Sequence, residues 1–295
     1  MNPGVIGAGV MGLGIVRSLL RGGFVTHVRD VDPAREALAH ARGARIAGAP
    51  AELGAHADVI FIVVLDAAQI DDVLEGPGGL MPVLGPGKTV LVNSTIAPGD
   101  TERFAARVCS TGAAFVDAPI SGGPARAEAG TMSMMLAAPD AVLAAVDPML
   151  RAVSDKRFVI GTRAGDAARA KLVNNLMAGI HLIAGAEAMA LAMRLGLDPR
   201  QMSELIRVSS GQSWMFDDRM PRALAGDFEP RAQAHVLTND LTLANAAAAD
   251  AGVELPLGAV ARDLLRATCD AGWRNEDDAA ALKYYARRFG VHMPG

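Results

Sequence analysis

The sequence has few cysteines, few aromatic residues and no excess of positive charge. Cys109 and Cys269 lie far apart and form no CxxC or other metal-ligand spacing, which indicates ordinary thiols of a cytosolic protein and no metal site. The net charge of −4 argues against nucleic-acid and membrane partners, because phosphate-rich surfaces require a basic face. We therefore expect a cytoplasmic protein without such partners.

Leader and membrane segments are not expected either. A structured motif begins at Val5, which leaves no room for the charged and apolar regions of a signal peptide. The apolar stretch 172–195 is long enough to span a membrane, but it contains asparagines, a histidine and charged residues. We interpret it as a core helix of a soluble protein.

The composition is that of a folded, core-forming chain. At 295 residues, of which 51% are hydrophobic, the chain is too long for one ordinary core and about right for two domains. The strand signal disappears after Gly161, and only helical patterns follow. We therefore predict one domain over 1–162 and an all-helical domain over 163–295.

Short β-branched runs alternate with helical patterns in the first half, which predicts βαβ units and a mainly parallel sheet. The predicted strands are 4–7, 24–30, 57–65, 88–94, 113–119, 130–138 and 156–161, with helices that include 11–23 and 99–112. The helices predicted in the second half are 164–195, 199–208, 233–251, 256–272 and 278–288.

A glycine-rich turn follows the first predicted strand and opens a helix. Gly7, Gly9 and Gly12 have the G-x-G-x-x-G spacing, with Val10 and Met11 between the last two glycines. Such a turn brings a pyrophosphate close to the backbone at a helix N-terminus. The pattern alone is weak, because a simple tight turn between a strand and a helix gives the same spacing, but its position at the N-terminus favours dinucleotide binding.

An acidic residue at the end of the second predicted strand strengthens this interpretation. Asp30 lies eighteen residues after Gly12, where a carboxylate is expected to bind a ribose 2′-hydroxyl. A carboxylate there repels a 2′-phosphate, so we expect NAD and regard NADP as less favoured. Arg29 keeps NADP open as an alternative, although we interpret it as a surface cation.

A second turn and a buried helix supply candidates for chemistry. In "DAPISGG" (117–123), Ser121 offers a hydroxyl beside the backbone N–H groups of Gly122 and Gly123, which suits a carboxylate; a structural loop is the alternative. Lys171 and Asn175 share one helix face at i, i+4, and Gly179 continues that face with space for a bulky group.

A lysine could exchange a proton with an alcohol in such a place. At its solution pKa of ~10.4 a lysine is a poor base, but burial lowers that pKa toward ~7–8. Asn175 could orient the hydroxyl or the ammonium without adding charge. The alternative is a lysine that extends to the surface beside exposed asparagines.

Four segments together resemble one enzyme family. "GAGVMGLGI", "NSTIAPG", "DAPISGGPARAEAGTM" and "GDAARAKLVNN" are similar, in order and spacing, to the signatures of the β-hydroxyacid dehydrogenases, the 3-hydroxyisobutyrate dehydrogenase group. The resemblance spans essentially the whole chain. It implies a Rossmann-type doubly wound α/β domain, an all-α C-terminal domain and a long interdomain helix between them.

The same resemblance implies roles for particular residues. Lys171 would be the general acid/base, Ser121, Gly122 and Gly123 would bind the substrate carboxylate, and Asn175 would contact the substrate. Thr95 would lie by the nicotinamide, and Leu65 and Asp66 would line the cofactor cleft.

The second half resembles the L-threonate dehydrogenases in particular, through 211–231 and 272–285. This implies NAD-dependent oxidation of a small hydroxy acid, such as the sugar acid L-threonate, with Trp214 and Phe216 lining the substrate pocket; both aromatics could instead be core residues. Tartronate semialdehyde reductase and 3-hydroxyisobutyrate dehydrogenase activities are alternatives within the family.

Two departures from the family pattern stand out. Asn239 replaces a lysine that reaches the cofactor, and Ala167 stands where glycine is frequent before the catalytic lysine. A non-catalytic dinucleotide-binding scaffold therefore remains an alternative, although Lys171, Asn175 and Ser121 argue against it. Imine reductases have a similar architecture but usually lack a lysine at this position.

The apolar helix 172–195 further predicts a homodimer or homotetramer.

Overall fold

The alternating strands and helices of the first half form an α/β unit, and the second half forms a helical unit. The computed structural model describes residues 1–294, and the chain divides into Met1–Lys171 and Leu172–Gly295. The domain bounds 1–162 and 163–295 stay a prediction, and the two compact units divide a few residues later, inside the long helix α8 (Asp166–Arg194). The first turns of α8 pack on the sheet of the first unit.

One mixed, mostly parallel sheet forms the centre of the first unit. In the described part of the chain its strands are β1 (Pro3–Ile6), β2 (His27–Arg29), β3 (Arg45–Ile46), β4 (Val59–Ile62), β5 (Thr89–Val92), β6 (Ala114–Asp117), β7 (Ile120–Ser121), β8 (Ser133–Ala137) and β9 (Lys156–Gly161). Their order is β3-β2-β1-β4-β5-β6-β8-β7, with β9 paired to β8. Strand β8 runs antiparallel to β6 and β7, and every other pair is parallel.

Helices cover both faces of this sheet because its central strands are apolar on both sides. The helices are α1 (Val10–Arg21), α2 (Pro33–Ala41), α3 (Pro50–His56), α4 (Ala67–Glu75), α5 (Pro98–Ser110), α6 (Gly123–Ala129) and α7 (Asp140–Val153). Successive residues of β1 face opposite sides: Val5 packs with α1, α6 and α7, and Ile6 packs with α3, α4 and α5. The doubly wound fold predicted from the sequence is confirmed.

The strand order decides where the loops of the first unit meet. Strands β2, β1, β4, β5 and β6 are parallel, so their carboxyl ends share one edge of the sheet. The order of the strands reverses direction between β1 and β4, which opens a crevice at this edge. The segments that follow these five strands contain most of the predicted site residues.

The sequence missed two strands of this unit. Strands β3 and β7 have two residues each, which is too short for a period of two to be recognised. Strand β7 matters for the site because Ser121 lies in it and pairs with Ser133 of β8.

The second unit consists of helices. They are the rest of α8, with α9 (Pro199–Arg207), α10 (Trp214–Leu224), α11 (Ala234–Asp250), α12 (Pro256–Thr268) and α13 (Ala281–Phe289). By length and composition α8 is apolar enough to cross a membrane. However, Leu182, Ala186, Met189 and Ala190 are fully buried in the core of this unit, as expected for the core helix that the sequence predicted.

Helix α10 was not predicted, and its local signals explain both its start and the omission. Ser213 caps the helix by accepting a hydrogen bond from the Phe216 N–H at 3.1 Å, but Pro221 inside the helix obscures the pattern. Arg219 of α10 pairs with buried Asp278 at 2.7 Å, and Arg222 pairs with buried Asp277 at 3.2 Å. These pairs join the two segments, 211–231 and 272–285, that the family resemblance had singled out.

Candidate functional site

The predicted glycine turn lies between β1 and α1 at the carboxyl edge of the sheet. Gly7 has φ +94°, and a Cβ on it would lie 2.3 Å from the carbonyl oxygen of Val63. A Cβ on Gly12 would lie 1.8 Å from the carbonyl oxygen of Gly7, so backbone packs directly on backbone. Both positions therefore require glycine for the turn to form.

The start of α1 is open to an anion. Its N-cap residue, Gly9, provides no side-chain cap, and the first turn has no acidic residue. A Cβ on Gly9 would meet only the Arg35 Nη1 at 3.5 Å, so the fold itself does not require glycine here. Val10 is 54% exposed and Met11 is half-buried in the same turn. This arrangement fits a pyrophosphate, which needs close approach to the backbone N–H groups.

Asp30 is tied to this turn. Its side chain is buried, and one carboxylate oxygen accepts a hydrogen bond from the N–H of Ala8, which lies between two of the turn glycines. The other oxygen accepts from the N–H of Asp32 at 2.8 Å. An ionised carboxylate accepts about four hydrogen bonds, so Asp30 retains capacity for a ribose hydroxyl.

Arg29 has a partner beside Asp30. The Arg29 Nη1 lies 2.7 Å from the Glu36 Oε1, and the same oxygen accepts the Asp30 N–H at 3.0 Å. Arg29 is therefore a half-buried, paired cation and not the solvated surface cation that the sequence suggested. A 2′-phosphate would have to compete with the Glu36 carboxylate for the Arg29 guanidinium.

The loop after β4 contains Leu65 and Asp66. Leu65 is 47% exposed, and its N–H donates to the Gln69 Oε1 at 2.9 Å. Asp66 caps α4, because its Oδ1 accepts the Gln69 N–H at 2.9 Å. The sequence did not predict this capping role, which fixes the loop beside the glycine turn.

Thr95 is half-buried in the loop after β5. The two residues that precede Thr95, Ser94 and Asn93, connect the ends of neighbouring strands. The Ser94 hydroxyl donates to the Val64 carbonyl oxygen at 2.7 Å, and the Asn93 Nδ2 donates to the Ala118 carbonyl oxygen at 2.7 Å. The ends of β4, β5 and β6 are therefore held together by side chains, with Thr95 at the same edge.

The turn proposed for a carboxylate lies between β7 and α6. Gly122 and Gly123 have φ of +129° and +74°, backbone angles that residues other than glycine rarely adopt. Ser121, half-buried, precedes them. A Cβ on Gly122 would lie 2.9 Å from the Cδ of Arg126, so an arginine side chain flanks the turn. Sequence reasoning overlooked Arg126, because nothing in the segment after the turn indicated that its side chain lies beside Gly122.

Lys171 is buried, with 7% of its surface exposed. It lies in the second turn of α8, after Ala167, which is fully buried against Met135 and Ala137 of β8. The methyl group of Ala167, one of the two departures from the family pattern, is thus part of the contact between helix and sheet. The sequence had left open whether Lys171 reaches the surface, and its burial removes that alternative.

Asp117, at the end of β6, holds the beginning of the same helix. Its carboxylate is 2% exposed, and Oδ2 accepts the N–H groups of Gly165 at 2.8 Å and Ala168 at 3.0 Å. Burial raises the pKa of Asp117 to about 6, while these backbone hydrogen bonds oppose the rise. The carboxylate is therefore ionised at neutral pH.

In the helical unit, Asn175 is 6% exposed and has two side-chain partners. Its Nδ2 donates to the Oδ2 of buried Asp240 on α11 at 2.6 Å, and its Oδ1 accepts from the Asn174 Nδ2 at 2.9 Å. Sequence reasoning singled out Asn239, which is exposed, and missed Asp240, the neighbour that contacts α8. An acidic residue on a predicted helix gives no sign of its burial, so the sequence alone could not show that Asp240 and not Asn239 contacts α8.

The structure also places other residues of this unit. Gly179 leaves space for a bulky group, as the sequence indicated, and that group is the Leu241 side chain of α11, which would lie 2.5 Å from a Cβ on Gly179. Phe216 is 3% exposed in the core of the unit, as in the alternative that the sequence left open. Trp214 is 43% exposed, and the Arg219 guanidinium lies 5.7 Å from its ring centre.

Among the residues that the structure describes, no group of three or more histidine, cysteine, aspartate or glutamate side chains could hold a metal ion. The candidate site consists of a dinucleotide-binding edge, a carboxylate turn and a buried lysine.

Comparisons with known proteins agree with this arrangement. Residues 2–161 match the model of the NAD binding domain of 6-phosphogluconate dehydrogenase, and residues 165–285 match that of the NAD-binding domain of NADP-dependent 3-hydroxyisobutyrate dehydrogenase. L-Threonate dehydrogenase of Cupriavidus necator is 38% identical, covering all of this chain and 98% of that protein.

Two solved structures extend the similarity to three dimensions. A 3-hydroxyisobutyrate dehydrogenase from Salmonella typhimurium has a TM-score of 0.91 and 34% identity, covering 96% of this chain and 99% of that one. Psf3 in complex with NADP⁺ and 2-OPP has a TM-score of 0.88 and 26% identity, covering 95% and 99%.

Fold and site together define a dinucleotide-binding oxidoreductase whose first unit is Rossmann-type and whose second is helical. The chain belongs to the β-hydroxyacid dehydrogenase family, whose members act on the CH–OH group of a hydroxy acid.

Proposed function

We propose that this dehydrogenase oxidises a small sugar acid such as L-threonate with NAD, and that Lys171 is its general acid/base. The observation that carries the proposal is the burial of Lys171, at 7% exposure, on a helix anchored to the strand that leads to the Ser121 turn. The full-length similarity to an L-threonate dehydrogenase at 38% identity supports the substrate class.

The residues at the glycine turn fit a dinucleotide. Gly7 and Gly12 close the turn, and Gly9 leaves the start of α1 uncovered for phosphate. Asp30 would bind the adenosine ribose, and the Arg29–Glu36 pair favours NAD over NADP because the arginine is already neutralised. Val10 and Met11 would contact the phosphates, and Leu65, Asp66, Thr95 and Asn239 would complete the binding surface. When bound, NAD supplies the hydride acceptor.

The carboxylate turn would orient the substrate. The Ser121 hydroxyl and the N–H groups of Gly122 and Gly123 are donors suited to a carboxylate, and Arg126 adds positive charge beside them. Trp214, with an exposed ring, would contact the part of the substrate that distinguishes one acid from another.

Lys171 would take the proton of the substrate hydroxyl through its neutral amine while the carbon loses a hydride. In the opposite direction the ammonium form returns the proton. Asn175, one helical turn further along, would hold the hydroxyl in line and add no charge. Positioning of this kind supplies much of an enzyme's rate, because the reacting atoms must be close and aligned.

A panel of hydroxy acids assayed with NAD and with NADP tests the function. We expect the highest kcat/KM with L-threonate and NAD, and weaker turnover of 3-hydroxyisobutyrate. Preferred reduction of tartronate semialdehyde would reassign the substrate. Tight NAD binding without reduced cofactor from any acid would favour the non-catalytic scaffold.

We also propose a cytoplasmic homodimer or homotetramer. Apolar side chains are exposed on two adjacent helices of the second unit: Val173 at 65% and Met177 at 49% on α8, and Leu257 at 69% and Val260 at 57% on α12. A second copy that covers them would remove this apolar surface from water. A monomer by light scattering at micromolar concentration would contradict the assembly.

A further inference from the structure

Asp117 has no part in the chemistry proposed above, yet it joins the two segments on which that chemistry depends. It is the last residue of β6 and begins the segment that reaches Ser121 four residues later. Its carboxylate accepts the N–H groups of Gly165 and Ala168, and Lys171 follows Ala168 by three residues. One side chain thus connects the strand that leads to the carboxylate turn with the helical turn that leads to the lysine.

The two hydrogen bonds that Asp117 accepts hold the start of α8 strongly. The first N–H groups of a helix have no partner within the helix, and a buried carboxylate that accepts two of them also interacts favourably with the helix dipole. Hydrogen bonds to an ionised group are shorter and about twice as strong as neutral ones. Since three residues are less than one helical turn, a shift of the capped residues displaces the lysine with them.

A second carboxylate at the same helix terminus makes different contacts. Asp166, the first residue of α8, pairs with Arg163 at 3.5 Å and Arg169 at 3.4 Å, both near it in sequence. These are pairs between neighbours on a partly exposed surface. The Asp166 carboxylate also lies against Gly161 at the end of β9, but no hydrogen bond or ion pair described for it reaches β6. Asp166 therefore serves as a matched control for Asp117: the charge and the helix terminus are the same, and the link to β6 is not.

We propose that Asp117 is a positioning residue, which fixes the distance between the Lys171 amine and the carboxylate turn by anchoring the start of α8 to the end of β6. Its carboxylate does not touch the substrate. The inference rests on the proposed role of Lys171.

The test compares Asp117→Ala and Asp117→Asn with Asp166→Asn at pH 8, where Asp117 is ionised. Turnover of L-threonate with NAD, NAD affinity, and amide hydrogen exchange of residues 165–171 are measured for each. We expect Asp117→Ala to lower kcat by about 10- to 100-fold, the range expected for a small misplacement of a reacting group. KM and NAD affinity should stay close to those of the unchanged protein.

Hydrogen exchange supplies a readout that does not depend on turnover. Residues 165–171 should exchange faster in Asp117→Ala, less so in Asp117→Asn, whose amide oxygen still accepts a hydrogen bond, and at the original rate in Asp166→Asn. If Asp117→Ala does not fold, the asparagine variant carries the comparison, with a smaller loss of kcat.

Each outcome decides one of the two claims. Unchanged exchange at 165–171 would overturn the anchor, and faster exchange with unchanged kcat would overturn the positioning role. An equal loss of kcat in Asp166→Asn would show a general charge effect and also overturn it. If the unchanged protein oxidises no hydroxy acid, the proposed function fails, while the exchange data still test the anchor.

Discussion

The glycine turn after β1 and the start of α8 are built in opposite ways. The shape of the turn depends on its own glycines, and the one side-chain hydrogen bond described for it, from the Ala8 N–H to Asp30, spans 22 positions, although Gly7 also packs against Val63 after β4. The start of α8 depends on a carboxylate 48 positions from Gly165, and Asn175 depends on one 65 positions away. Glycines shape the first region, and buried carboxylates with distant partners shape the second.

The difference matters for what each region can do. A turn made of backbone presents N–H groups and binds an anion without any titrating side chain. A buried lysine or asparagine needs groups from elsewhere, because an unsatisfied polar group in the interior is unfavourable by about 1–3 kcal/mol. Binding of the dinucleotide is thus encoded locally, while the acid/base chemistry depends on the assembled fold.

The sharpest separation of the two regions should come from Lys171→Ala. Loss of a general acid/base lowers turnover by about 100- to 10,000-fold, and the glycine turn is unaffected, so NAD affinity should be preserved. Steady-state kinetics and NAD titration measure both quantities. Arg169→Ala, two residues away on an exposed part of α8, is the control and should leave turnover near its original value.

Near-normal turnover in Lys171→Ala would refute its assignment. A simultaneous loss of NAD affinity would mean that dinucleotide binding and acid/base chemistry are not separate properties of the two regions.

A smaller effect is expected at the glycine turn itself. The Cβ of Gly12→Ala would lie 1.8 Å from the Gly7 carbonyl oxygen, so the backbone must move. Overpacking of this kind lowers stability by about 1–3 kcal/mol, and we expect weaker NAD binding as well. Denaturant unfolding and NAD titration provide the measurements.

Gly9→Ala is the matched comparison, because its Cβ would meet only the end of the Arg35 side chain. We expect this variant to keep its stability and to lose NAD affinity, since the methyl group would stand where the pyrophosphate approaches. Equal losses of stability in the two variants would mean that the turn does not require glycine for the reasons given.

A loss of stability of the same size should arise in the helical unit, at Asp240. Asp240→Ala leaves the buried Asn175 amide without its partner at 2.6 Å, and we expect a loss of about 1–3 kcal/mol in the free energy of unfolding. Asn239→Ala, one position earlier and exposed, should change stability by less than about 0.5 kcal/mol. Urea unfolding of the two variants makes the comparison, and similar values would contradict the long-range support of α8.

The sequence located the long elements of the fold better than the short ones. The seven predicted strands and the 29-residue helix α8 were found because their apolar periods extend over enough residues. Strands β3 and β7 were missed because two residues carry no period, and α10 was missed because Pro221 lies inside it. The glycine turn was found from its spacing, whereas Asp117, Arg126 and Asp240 gave no signal of their own.

What the sequence determined by itself is therefore the glycine turn, the alternation that yields a doubly wound sheet, and the family to which the four motifs belong. Those features follow from backbone conformation and from periods of apolar residues, which are properties of neighbouring positions. Only the tertiary structure decided that Lys171 is buried, that Asp117 holds its helix, and that Asp240 rather than Asn239 contacts Asn175. Burial and pairing are set by residues tens of positions away, so no local pattern contains them.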